Sequence, residues 1–209
     1  KDVLNLLDYK LIKNHPKPLI GYSDITNILL AIYKKTGNTV YHGPNISSLP
    51  GLDKKSLNQI IDIINHNNKN LVLNNFTVVK HGKTLNKLVG GNLYILNKLI
   101  PTKYSPDYKN TVLFFEEIND ETGSIDDQIK KLGFSGILKD ISGIIIGHLD
   151  FGNKKDDKTW KKTILRLTEK FSYPIIKMDI FGHNIKKFIT LPIGVRVEIN
   201  TTNKKVALR

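Results

Sequence analysis

The sequence predicts an α/β protein with mostly parallel strands. Two observations carry this. Short apolar segments rich in β-branched residues alternate with amphipathic helical patterns, as βαβ units require. The apolar segments also end abruptly in polar or glycine residues, as in "LIGYSD", "VYHGP" and "VLFFEE", and sites of open parallel sheets collect at the carboxyl ends of strands.

Residues 2–12 read as a short helix followed by a strand or turn. The run 18–22 reads as a buried strand that ends at a corner on Ser23. Ile25, Ile28, Leu29 and Ile32 then form a helical stripe closed by Gly37. A second short strand, 39–44, ends at His42. Residues 53–66 form a helix that Asp53 is placed to cap, and 65–70 is a polar linker. From 71 the texture changes to β-branched residues and glycine, which predicts a domain boundary dividing 1–70 from 71–209. A helix follows at 92–100, then a buried strand at 111–117 and a helix at 124–133. Another buried strand covers 141–149, and a helix at about 158–171 contains Trp160. A strand over 174–184 ends in Gly-His. The chain closes as a β-hairpin in which "VRVEI" alternates, "NTTN" turns and "KVAL" returns.

Composition narrows the function classes. The 209 residues are 40% hydrophobic, enough for a proper core, with no run long enough to span a membrane and no signal peptide at residue 1. Cysteine is absent, which removes disulfide and thiolate chemistry and fits a cytoplasmic protein. The formal charge is +13, yet arginine occurs only at 166, 196 and 209. The lysines are scattered, so the charge does not predict a nucleic-acid partner. Neither H-E-x-x-H nor paired cysteines occur, so no metal is expected. "HGKT" (81–84) lacks the first glycine of a phosphate loop, since Thr77 stands there.

Ser23 invites two readings. It or Asp24 caps the following helix, or it is a nucleophile lifted from the sheet on a strand-to-helix elbow. A serine nucleophile needs a base to take its proton and an acid to orient that base. His42, His148 and His183 each follow an apolar strand; His15 and His66 lie in polar turns. Glu116 and Glu117 sit where a buried strand reaches the rim and point to opposite sides. One is expected to reach a site, the other to face solvent or form an ion pair. Ser23, Glu116 and His183 keep the serine–acid–histidine chain order of α/β-hydrolases.

Taken together, "KPLIGYSDIT", "YHGP", "LVGGNLYIL", "TVLFFEEIN", "SIDDQIKKL", "GILKDISGIIIG", "GH" and "LPIGVRVEI" resemble, in order, the LD-carboxypeptidase family of serine peptidases. That family includes muramoyl-tetrapeptide carboxypeptidases and microcin C immunity peptidases. The resemblance implies a Ser-Glu-His triad on Ser23, Glu116 and His183, with the Asp24 N–H as one oxyanion donor and no cofactor. It implies two domains, a flavodoxin-like N-terminal domain bearing the serine and a C-terminal domain bearing the acid and base. It also implies a small peptide substrate, either murein tetrapeptide or a peptidyl-aminoacyl nucleotide. One departure is Asp127, where the family usually has arginine after the acidic residue. Another is the start of the chain, which falls just past a family segment containing the first strands and a glycine-rich oxyanion donor. The expectation is therefore an incomplete N-terminal sheet, an impaired site, and a bare strand edge that pairs with a second copy as a homodimer or aggregates.

Overall fold

The computed structural model describes residues 2–65, 71–73, 75–118, 124–152 and 159–209. It opens with two helices, α1 (Asp2–Leu6) and α2 (Tyr9–Asn14). The strand or turn expected by residue 12 is this second helix, because the Asp8 side chain accepts the Leu11 N–H and starts a new turn. Strand β1 (Ile20–Gly21) is shorter than the run 18–22 suggests. Pro18 precedes it and a left-handed Ser23 follows it, which confines the extended stretch. Helix α3 (Thr26–Thr36) buries Leu29, Leu30, Ala31 and Ile32 and ends at Gly37, whose φ of 75° suits glycine. Strand β2 (Val40–His42) ends at His42, and α4 (Lys54–Ile64) starts where Asp53 accepts the Ser56 N–H at 2.9 Å. The linker at 65–70 lies, beyond Asn65, outside the described residues.

The remaining elements are β3 (Val72–Leu73), β4 (Thr77–Lys80), β5 (Lys83–Asn92), α5 (Leu93–Leu99), β6 (Thr111–Ile118), α6 (Ile125–Phe134), β7 (Gly143–Asp150), α7 (Thr159–Leu167), β8 (Ile175–Lys177), β9 (Leu191–Ile193), β10 (Arg196–Asn200) and β11 (Lys205–Leu208). The strand expected over 174–184 stops at Lys177. Gly182 (φ 131°) and Asn184 (φ 54°) then hold the Gly-His stretch as bends, since neither backbone is extended.

Two sheets result, in a mixed α/β fold. Three strands run β1-β2-β9, parallel between β1 and β2 and antiparallel between β2 and β9. Eight strands run β3-β11-β10-β5-β6-β7-β8-β4. Its centre, β5-β6-β7-β8, is parallel, and the β10–β11 hairpin is antiparallel as its alternation predicts. Strand β1, which bears the serine corner, pairs only β2 among the described residues.

Strand β6 is the axis of the core. Val112, Leu113, Phe114 and Phe115 are fully buried between β5 and β7. A parallel strand covered on both faces carries such an unbroken apolar run. Its closest neighbour is Gly90, paired with Phe114, where an added Cβ would lie 1.8 Å from the Phe114 carbonyl oxygen. Backbone cannot yield there. Gly90→Ala is therefore expected to destabilise the chain by about 3 kcal/mol or more, read as a lower urea midpoint. Gly51→Ala, with open space around it, should stay within about 0.5 kcal/mol of the parent.

Candidate active site

The corner at Ser23 follows from packing before it. Gly21 has no Cβ because Ile25 fills that space; a Cβ would meet its Cγ2 at 2.5 Å. Tyr22 is extended, Ser23 has φ 58°, and a 3₁₀ turn over Ser23–Ile25 leads into α3. A non-glycine residue in the left-handed region is strained, and such strain clusters at functional sites. Neither Ser23 nor Asp24 makes a side-chain capping bond to the helix. The Ser23 hydroxyl instead meets His183, Oγ to Nε2, at 3.1 Å.

The other face of His183 meets Glu116, Nδ1 to Oε2, at 2.7 Å. A carboxylate can only accept, so Nδ1 carries the proton and Nε2 is free to accept from Ser23. Glu116 is fully buried and His183 is mostly buried. Burial pulls the His183 pKa down, but the Glu116 hydrogen bond and the charges of Glu116, Glu117 and Asp150 outweigh it and leave the pKa raised. Gly182 makes the approach feasible. A Cβ there would sit 3.2 Å from the Glu116 Cβ and 3.1 Å from the His148 Cβ. Beyond His183, the Asn184 amide donates to Asp150 Oδ2 at 2.5 Å. The Tyr22 ring lies 4.9 Å from the His183 ring and walls one side.

The second carboxylate departs from expectation. Glu117 points away from His183, as alternation requires, but is buried rather than solvated or ion-paired. It accepts from the Asn92 amide, the Tyr94 N–H and the Ile118 N–H. Burial pushes its pKa up to about 7 in spite of these donors. Asn92 was missed in the sequence. Its side chain caps α5 by accepting the Ile95 N–H, and its own N–H donates to Thr26 Oγ1. The signal was an asparagine between a strand and a helical pattern, the position an N-cap takes.

The other histidines do not join Ser23 to Glu116. His42 is wholly buried beside the site, without a hydrogen bond among the described residues. His148 pairs with Asp179 at 3.1 Å. The His148 hydrogen bond, followed by Lys177, overcomes partial burial and holds the Asp179 pKa at about 2. His15 is exposed, and His66 lies outside the described residues. Asp24 is exposed, in the 3₁₀ turn that follows Tyr22. No metal-binding cluster of His, Asp and Glu occurs among the described residues. No helix among them is long and apolar enough to cross a membrane. A cavity of about 540 Å³ opens beside the site, lined by His148, Asp150, Trp160, Lys177, Asp179 and Ile185 among others. A larger one, about 970 Å³, is lined by Tyr41, Gln59, Pro192 and Leu208 among others and touches none of the three residues.

Comparison with known proteins bears on the family of the chain. A profile described as the LD-carboxypeptidase C-terminal domain matches residues 86–199, and its N-terminal counterpart matches residues 1–43. A probable murein peptide carboxypeptidase of Bacillus subtilis is 32% identical over 97% of this chain. The chain spans 66% of that relative's length. An MccF-like protein of Bacillus anthracis superposes with a TM-score of 0.85 at 30% identity, covering 99% of this chain and 71% of that one. A muramoyltetrapeptide carboxypeptidase of Oxalobacter formigenes gives 0.80 at 25% identity, covering 98% and 72%.

Two outcomes are expected at the corner. Ser23→Ala should leave stability within about 0.5 kcal/mol of the parent, rather than losing the roughly 1 kcal/mol of a helix cap, measured by thermal unfolding. A fluorophosphonate should label Ser23 in the parent and fail to label it in His183→Ala, since the hydroxyl is a weak nucleophile without its base.

Proposed function

This chain belongs to the LD-carboxypeptidase family, and we propose that it is a serine carboxypeptidase hydrolysing the L,D amide bond of murein tetrapeptide and releasing D-alanine in cell-wall recycling. The observation that carries the reading is the unbroken line of hydrogen bonds from Ser23 through His183 to buried Glu116. Ser23 Oγ attacks the carbonyl carbon next to the terminal D-alanine while His183 Nε2 takes its proton. Glu116 holds the imidazole in the required tautomer and stabilises it when charged. The Asp24 N–H donates to the oxyanion at the head of α3, where unpaired N–H groups favour negative charge. His183 returns the proton to the leaving amine, and D-alanine departs. Water, deprotonated by His183, then cleaves the acyl-serine ester. In this reading residues 1–70 bring the nucleophile and 71–209 bring the acid and base.

A second reading keeps the trio and changes the substrate to a peptidyl-aminoacyl nucleotide. The likeness to the MccF-like protein of Bacillus anthracis favours it. Incubation with L-Ala-D-Glu-meso-diaminopimelate-D-Ala and with an aminoacyl-sulfamoyl adenosine decides between them. Release of D-alanine supports the first reading, and cleavage of the nucleotide conjugate with no D-alanine supports the second.

The base must be neutral to accept a proton. A raised His183 pKa therefore means that kcat/KM falls as pH drops through a value above the usual histidine value of about 6.5. Glu116→Gln should move that limb to lower pH and reduce kcat by about 10⁴. A pH–rate profile of parent and variant checks both.

A further inference from the structure

We propose that His42 is a positioning residue for the trio, its imidazole N–H anchoring Oε1 of Glu116, the carboxylate oxygen that His183 leaves unused. The inference rests on the triad reading above.

Glu116 is fully buried, yet only one of its oxygens is engaged. Oε2 takes the His183 proton, while Oε1 has no hydrogen-bond partner among the described residues. A buried carboxylate oxygen without a donor is costly, and buried polar groups are nearly always paired. A complementary orphan packs on Phe114, two residues before Glu116. His42 is fully buried, and both its ring nitrogens lack partners.

Four aromatic rings fix where His42 sits. Its centroid is 6.3 Å from Tyr22, 5.2 Å from Phe114, 5.8 Å from Phe181 and 5.9 Å from Phe188. Phe114 lies two residues before Glu116 on β6, so both side chains leave the same face of that strand. The alternation of β6 is intact here. Phe115 pairs with Ile146 and Glu117 with Leu149, so the extra residue of the register shift belongs to β7. Phe181 lies two residues before His183, and Tyr22 packs on His183 itself. The box around His42 is thus built from the neighbours of all three members of the trio.

The electrostatics agree. Burial drives the His42 pKa down to about 4, with the Glu116 charge opposing this and His183 adding to it, so the imidazole feels both groups. At neutral pH it is uncharged, with one N–H donor and one lone pair. It can hold the carboxylate without competing for the proton that His183 carries. Packing alone does not explain the residue, because phenylalanine would fill an aromatic box without stranding two polar atoms. Hydrogen bonds of unliganded catalytic sites are commonly long and tighten in the complex. The His42–Glu116 contact is loose in the free chain and tightens in the complex, stopping the carboxylate from rotating and keeping Oε2 on Nδ1.

The test compares His42→Phe with His42→Gln in the full chain. Phenylalanine keeps the packing and removes the donor; glutamine keeps an N–H and packs poorly. His42→Phe is expected to unfold at or above the parent's temperature while kcat drops about 10–100-fold with KM unchanged, the size typical of losing a supporting hydrogen bond. His42→Gln should retain more of kcat than His42→Phe. The reverse order, with phenylalanine at parental kcat, overturns the proposal. A second readout needs no turnover. In ¹⁵N-histidine-labelled chain at pH 7, one His42 ring N–H should resist exchange with water, and its resonance should move on Glu116→Gln. A His42 resonance indifferent to Glu116→Gln overturns the proposal whether or not peptide is cleaved. Failure of the peptidase assay alone overturns only the proposed function.

Discussion

A carboxylate with no solvent exposure must be answered by a partner, and Glu116 is such a carboxylate. Its hydrogen bond with His183 at 2.7 Å is the contact on which the site's arrangement depends. It comes about because β6 runs so deep between β5 and β7 that its polar end is still buried. The demand for a partner draws the bends from Phe181 to Asn184 down onto the strand. Glycine at 182 suits that approach: its φ of 131° strains other residues, and a Cβ would lie tight against the Glu116 and His148 Cβ atoms, at 3.2 and 3.1 Å.

The two sheets are tied together at the same place. Strand β9, late in the chain, pairs with β2, while His42 at the end of β2 packs on Phe114 of β6. Thr26, at the start of α3, accepts the Asn92 N–H at the end of β5. Glu117 adds a second clamp on the opposite face of β6 by holding Asn92 and the first turn of α5. The serine corner on β1 is therefore supported from the larger sheet. Asn45 contributes as well, accepting the Tyr22 N–H.

The reading of two adjacent glutamates shows how far alternation carries. It is enough to say that the two point to opposite sides. Whether either meets water depends on what lies beyond the strand end, and here α5 covers one side and the Phe181–Asn184 segment the other. Both carboxylates are buried, and their side-chain partners are distant in the chain, Asn92 for Glu117 and His183 for Glu116.

By itself, the order of residues determined the alternating α/β elements, the parallel run at 111–117, the closing hairpin, Asp53 and Gly37 as helix ends, and Ser23 as a corner. These follow from local periodicity and backbone chemistry, which act over a few residues. Chain order and the family resemblance pointed to His183, but local pattern did not separate the three strand-end histidines; the tertiary structure brings His183 to Ser23. His42, His148 and His183 stand in similar local sequence, yet they differ in whether an aromatic box, an aspartate or a buried glutamate surrounds them. It also decided that β9 crosses to the smaller sheet. Strand pairing and burial depend on contacts between segments far apart in the chain, and no local pattern encodes them.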